Sequence, residues 1–227
     1  HDTLAVIDYR NNVIYNWGGN SCYGGEAMNV NIVNCYYKPG PASKHRERII
    51  SIDKSKDLTS ETYNIWGRFY IDGNYVDGSE RATEDNWTYG VYNQFHSSYG
   101  TVSDEEKTAM RLLHPLPTDA NVITHSAQVA YEKVLDFAGA SLRRDMVDKR
   151  IIENVRNGTY TAEGSNGSTK GIIDSQYDVG GWPELKSTEP SIDTDNDGMP
   201  DEWEIKMGLD PNKANATGRD LSTVYDN

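Results

Sequence analysis

Three short runs set an asparagine just ahead of an apolar or aromatic pair: Asn12-Val13-Ile14-Tyr15, Asn34-Cys35-Tyr36-Tyr37 and Asn74-Tyr75-Val76-Asp77. The first two asparagines are 22 residues apart, about one coil of a parallel β-solenoid. The next interval is 40, which fits one further coil if residues 39–66 are largely an inserted loop. Asparagine suits such a repeat for two reasons. It tolerates the left-handed backbone of a tight turn, and its amide can hydrogen-bond to its counterpart one coil away. An antiparallel β-sandwich whose turns happen to carry asparagine satisfies the same pattern, so the repeat alone leaves both folds open.

The rest of residues 1–90 agrees with a mainly β segment. Val6-Ile7-Asp8-Tyr9, Val30-Asn31-Ile32-Val33 and Phe69-Tyr70-Ile71 are further β-prone runs between Asn, Gly and Pro clusters, and no stretch there has helical periodicity. Residues 91–190 change to loops and short helices. Ser103-Asp104-Glu105-Glu106 is a capping box for a helix that stops before Pro115. Ser126 caps a second helix, with Ala127, Ala130, Val134 and Phe137 on its apolar face and Gly139 as terminator. Asp145 caps a third, with Val147, Ile151 and Val155 on one face and Asn157-Gly158 ending it.

The strongest chemical signal lies in the last segment, residues 191–227. Asp193, Asp195, Asp197, Gly198, Met199, Asp201 and Glu204 fall on loop positions 1, 3, 5, 6, 7, 9 and 12 of an EF-hand calcium loop. A hard cation of that size takes six to eight oxygens, and alternate carboxylates on a curling loop converge on it. Gly198 permits the bend, Met199 offers its carbonyl, and Glu204 closes the shell. The entering helix of a paired EF-hand is missing, because Trp182-Pro183 and Glu189-Pro190 precede the loop. The expected role is therefore a structural staple rather than a switch.

Charge sharpens the division. The chain of 227 residues carries 22 Lys+Arg against 35 Asp+Glu, a formal −13. A positive surface for nucleic-acid phosphates is lacking overall, and no run of about 18 apolar residues could span a membrane. From Lys38 to Lys56 the balance reverses: Lys38, Lys44, Arg46, Arg48, Lys54 and Lys56 outnumber Glu47 and Asp53. Such a loop either recognises an anionic polymer, carboxylated sugar being the better match, or is a solvated charged surface. The two cysteines, Cys22 and Cys35, exclude a disulfide framework and a cysteine-only zinc site. One bridge or two buried thiols both remain open. Four Asn-x-Ser/Thr triplets, at Asn86, Asn157, Asn166 and Asn215, are coincidental in a chain this rich in Asn and Thr. His1 in place of Met suggests a chain processed or cut from a longer one.

Three stretches, residues 8–43 (DYRNNVIYNWGGNSCYGGEAMNVNIVNCYYKPGPAS), 138–159 (AGASLRRDMVDKRIIENVRNGT) and 178–204 (DVGGWPELKSTEPSIDTDNDGMPDEWE), together resemble the C-terminal portion of bacterial polysaccharide lyases of the pectate lyase family. The resemblance implies a partial right-handed parallel β-helix with a loop and short-helix flank, and calcium-dependent β-elimination of polygalacturonate by a secreted, periplasmic or cell-surface enzyme. In that reaction an Arg removes the proton at C5, and calcium on the neighbouring carboxylate stabilises the developing charge. The family's Arg-x-Pro-x-x-Arg-like motif is not found here; Arg111-Leu112-Leu113-His114-Pro115 has the wrong spacing. No catalytic residue is therefore assigned, and the base is expected upstream, in a missing N-terminal part that this chain would need as a partner. Lys38, Arg46 and Arg48 are the candidates for uronate contacts. Two other readings stand beside this one. A polygalacturonase-like hydrolase needs flanking carboxylates, whose motifs are not found; a non-catalytic, calcium-stabilised carbohydrate-binding or surface module needs none.

Overall fold

The computed structural model describes residues 5–119 and 122–227; His1 lies outside them. The described residues fall into two compact units, one running to residue 183 and the other spanning residues 184–227.

In the first unit the chain passes through the same sheets in turn. The first pass contributes β1 (Val6–Arg10), β2 (Val13–Tyr15) and β3 (Tyr23–Gly24); the second, β4 (Asn29–Val33), β5 (Tyr36–Lys38) and β6 (Ser51–Ile52); the third, β7 (Arg68–Asp72) and β8 (Tyr75–Val76). The sheets are ordered β1-β4-β7, β2-β5-β8 and β3-β6, and every strand pairing in them is parallel. This decides against the sandwich, whose hairpins would pair antiparallel. β6 falls inside the 39–66 segment, so part of that stretch belongs to the sheets.

The register corrects the repeat by one residue. Val6 faces Asn29 and Val13 faces Tyr36, an offset of 23; Val30 faces Phe69 and Tyr36 faces Tyr75, an offset of 39. The stacked turn residues are thus Asn11, Asn34 and Gly73, all left-handed, with φ of 54°, 51° and 67°. Asn11 donates through Nδ2 to the Asn34 carbonyl at 2.9 Å. A Cβ on residue 73 would collide with Asn34 Oδ1, which is why glycine closes the column. Asn74 is one place further on. Its buried amide accepts from the Cys35 N–H and donates to the Ile32 carbonyl, both at 2.9 Å, and it also donates to Asn86 Oδ1 at 3.1 Å, so it ties the backbone of the preceding pass to Asn86 rather than to its counterpart one coil away.

Period-2 alternation sends Val30, Ile32, Phe69 and Ile71 inward, where Tyr37, Ile52 and Val76 from the other sheets and Ile50, just ahead of β6, complete the core. Cys22 and Cys35 pack there as free thiols, so the bridge is not formed. The outer face of β4 is lined by a polar strap: Asn31 exchanges hydrogen bonds with the backbone of Leu116, and the His125 carbonyl accepts from Asn11 and Asn34.

Among the described residues of this unit four α-helices follow the strands, α1 (Glu80–Glu84), α2 (Asp104–Met110), α3 (Ala127–Phe137) and α4 (Met146–Asn157); the other unit holds α5 (Asp201–Met207). The three expected caps form at Ser103, Ser126 and Asp145. α1 is a helix in a segment expected to hold none; five residues are too few for a periodic signal, and Ser79 caps it. Two apolar faces also differ from expectation. α3 buries Tyr131 and Leu135 rather than Phe137, which is 68% exposed, because Tyr36 stacks on Tyr131 with centroids 4.3 Å apart. On α4, Val155 and Ile152 pack inward while Ile151 faces out.

Candidate functional site

The acidic loop, in the unit 184–227, is shaped by its own carboxylates. Asn196 and Gly198 supply left-handed turns, with φ of 60° and 98°. The backbone N–H of Gly198 donates to Asp193 Oδ2 at 3.0 Å, that of Asp197 to Asp195 Oδ1 at 3.2 Å, and that of Met199 to Asp197 Oδ1 at 3.0 Å. One oxygen of each of Asp193, Asp195 and Asp197 then lies within 4.8 Å of the others. Glu204, from the first turn of α5, has no exposed surface at all.

No protein donor serves the inner oxygens. Asp193 Oδ1, Asp195 Oδ2 and both carboxylate oxygens of Glu204 are buried without a hydrogen-bond partner. Buried carboxylates without counter-charge are strongly disfavoured. Burial, then neighbouring Asp197, pushes the Asp195 carboxyl up; burial, then Asp195, does the same to Glu204. Asp197 is held down instead, chiefly by the Met199 N–H. Orphaned, converging, all-oxygen donors fit a hard divalent cation.

Asp201 is placed differently. Both of its oxygens are taken by Thr194, from the backbone N–H at 2.7 Å and from the hydroxyl at 2.6 Å, so it clamps the loop to α5. Met199 is buried beside the acids. Thr194 and the backbone N–H groups of Asn215 and Ala216, which donate to Asp197 Oδ2 at 2.8 and 2.9 Å, also belong to the site but carry no mark in the residue pattern. Nothing in a residue pattern marks backbone donors arriving from eighteen positions away.

In the first unit the three basic candidates have separate fates. Lys38 donates to the Tyr131 hydroxyl at 2.9 Å and to the Arg156 carbonyl at 3.1 Å. Arg48 is buried, with Nε on Gln94 Oε1 at 3.2 Å and Nη1 on Asn20 Oδ1. Burial holds its pKa below the ordinary guanidinium value. Arg46 is exposed and bonded only to the carbonyls of Gly40 and Pro39. Glu47, between them, turns away to Ser79 and Arg81.

No protein-family model matches the chain. Similarity to individual proteins is extensive. The chain is 31% identical over 222 residues to a protein of Emericella nidulans named probable pectate lyase C, covering 97% of this chain and 45% of that protein. A protein of the same name from Aspergillus fumigatus is 32% identical over 212 residues, covering 92% and 43%. The Aspergillus flavus counterpart is 29% identical over 222 residues, covering 96% and 46%. Over most of its length the chain is similar to proteins named as pectate lyases. It spans less than half the length of these curated relatives, which are fungal. No helix among the described residues is long and apolar enough to cross a membrane.

Proposed function

We propose that the chain is part of a secreted, calcium-dependent pectate lyase that cleaves polygalacturonate by β-elimination. The observation that carries this reading is similarity along 92% to 97% of the chain to proteins named as pectate lyases. The parallel sheets agree with it: strands that repeat in register, joined by crossovers that are right-handed almost without exception, close into a right-handed parallel β-helix. Residues 1–90 then supply its last coils, 91–190 the flank, and 191–227 the metal-binding tail.

Calcium is held in the tail by Asp193, Asp195, Asp197 and Glu204, with the Met199 carbonyl in the shell and Asp201 keeping the loop shut. Bound there, it supplies the positive charge that the buried carboxylates lack. Of Lys38, Arg46 and Arg48, the candidates for recognising the uronate polymer, Arg46 is the one whose guanidinium faces solvent, whereas Lys38 and Arg48 are already bonded within the fold. No group among these residues is assigned as the base, and the proton-abstracting Arg is expected in sequence ahead of the stretch 8–43. The test is the product. Elimination from polygalacturonate, dependent on calcium, yields unsaturated uronides that absorb in the ultraviolet. Reducing ends without that absorbance would replace the reading with a hydrolase, and binding without turnover would replace it with a carbohydrate-binding module.

A further inference from the structure

α4 carries a cation that the fold does not use. Among the described residues, the Arg150 guanidinium makes no hydrogen bond, ion pair or ring contact. An arginine is always charged and offers five donors in a rigid fork, so a half-buried one without an acceptor is unusual. It sits where two depressions meet. One, of about 460 Å³, runs between α4 and residues 173–182; the other, of about 260 Å³, runs toward Tyr15 and Tyr160. Arg150 and Ile151 line both. Together they make a groove of ordinary ligand-site size.

The walls favour a sugar. Trp182, 79% exposed, lines the larger depression, and Ile151 and Ile173 in the same lining are 46% and 37% exposed. An indole held open among aliphatic side chains offers a flat apolar face to the C–H face of a pyranose ring. The amide of Gln176 stands in the same depression as a donor or acceptor for ring hydroxyls. Asp174 lies there too, but it does not neutralise Arg150: its carboxylate is taken by the Asn166 and Ser168 backbone and the Ser168 hydroxyl.

We propose that this groove binds a uronate-bearing oligosaccharide, with Arg150 gripping a ring carboxylate through its fork and Trp182 stacking on a sugar ring. The ligand class rests on the reading of the protein as a polygalacturonate lyase, but the site is separate from the basic loop. It would hold a stretch of polymer that is not being cleaved. Carboxylate selection follows from charge complementarity, since a bidentate guanidinium pair is the strong form of that contact.

The test is titration calorimetry of the intact, calcium-loaded protein with trigalacturonate, and with cellotriose as the neutral control. Trigalacturonate is expected to bind and cellotriose to bind at least about tenfold more weakly. Arg150→Gln and Trp182→Ala should each weaken trigalacturonate binding by about tenfold or more. Neither side chain has an internal hydrogen bond, so both variants should melt like the parent, which reads out folding independently. Unchanged affinity in both variants, equal binding of the neutral sugar, or no binding at all overturns the groove. Ultraviolet-detected turnover of polygalacturonate, followed in parallel, separates the two readings. Turnover without Arg150-dependent binding removes the groove alone. Arg150-dependent binding without turnover leaves the groove, and in a protein that also carries the expected upstream Arg it removes the lyase reading.

Discussion

Gly73 and Asn74 carry adjacent, unequal jobs. At Gly73 the backbone is left-handed and the space for a Cβ is filled by the Asn34 amide, so Gly73→Ala should cost about 1–3 kcal/mol. Asn74→Ala removes the partners of the Cys35 N–H and the Ile32 carbonyl. Two buried groups left bare should cost about 2–4 kcal/mol. Urea unfolding of both variants measures this, and an Asn74→Ala protein as stable as the parent would show that the amide is dispensable. The same pair explains what the sequence could and could not say. Asparagines marked the turns, but they occupy two neighbouring columns, Asn11 with Asn34 and Asn12 with Asn74. A reading that aligned Asn12 with Asn34 mixed the columns and shifted the register by one. In the acidic loop the spacing is local, and the structure brings oxygens of Asp193, Asp195 and Asp197 together while Asp201 turns to Thr194. Glu204→Gln leaves its shape nearly unchanged and removes one charge, so calcium affinity should fall by at least about tenfold; calorimetric titration reads it.

Elements were legible where their signals are local. Helices α2, α3 and α4 begin at the caps their sequences display, because an N-cap needs only a side-chain oxygen and an N–H two or three residues on. Their buried faces were not, since those depend on what they meet: Tyr131 is drawn inward by Tyr36, which also stacks on Tyr75 with centroids 4.9 Å apart. α2 shows local and distant roles meeting in one residue. Glu106 completes the capping box and also accepts from Trp66 Nε1 at 2.8 Å and Lys54 at 3.3 Å. These bonds, the Trp66 one foremost, hold its carboxyl below the ordinary value of 4.5. A carboxyl lowered on folding stabilises the fold above its unfolded pKa and loses that contribution as pH falls through the folded one. Stability should therefore drop as pH falls below about 4.5. Glu106→Gln keeps the cap geometry and removes the titration, so its urea midpoint should fall less steeply with acid than the parent's. Identical slopes would mean that other carboxylates set the acid limit.

At the scale of the molecule the two units are held by different forces. Residues 5–183 enclose a shared apolar core of stacked strands. In 184–227, by contrast, Met199 and Glu204 are the only buried residues among those described, while Ile192, Ile205, Val224 and Tyr225 stay exposed. A segment of this size cannot be stabilised by one methionine and an unpaired acid. What it does have is a converging set of carboxylate oxygens and a chain end tied to one of them through Asn215 and Ala216. Its order should then follow the metal by mass action, gaining about 2.7 kcal/mol when free calcium is a hundredfold above Kd. Chelation should expose residues 184–227 to limited proteolysis and unfold α5, while the melting transition of the strand-rich unit changes little. Magnesium should restore protection poorly, because it is smaller and gives up its waters reluctantly. The cut sites, read by mass spectrometry with and without chelator, decide it. Protection of the tail that persists without calcium would show that the loop is held by its Asx-type hydrogen bonds alone, and the buried charge of Glu204 would then need another explanation.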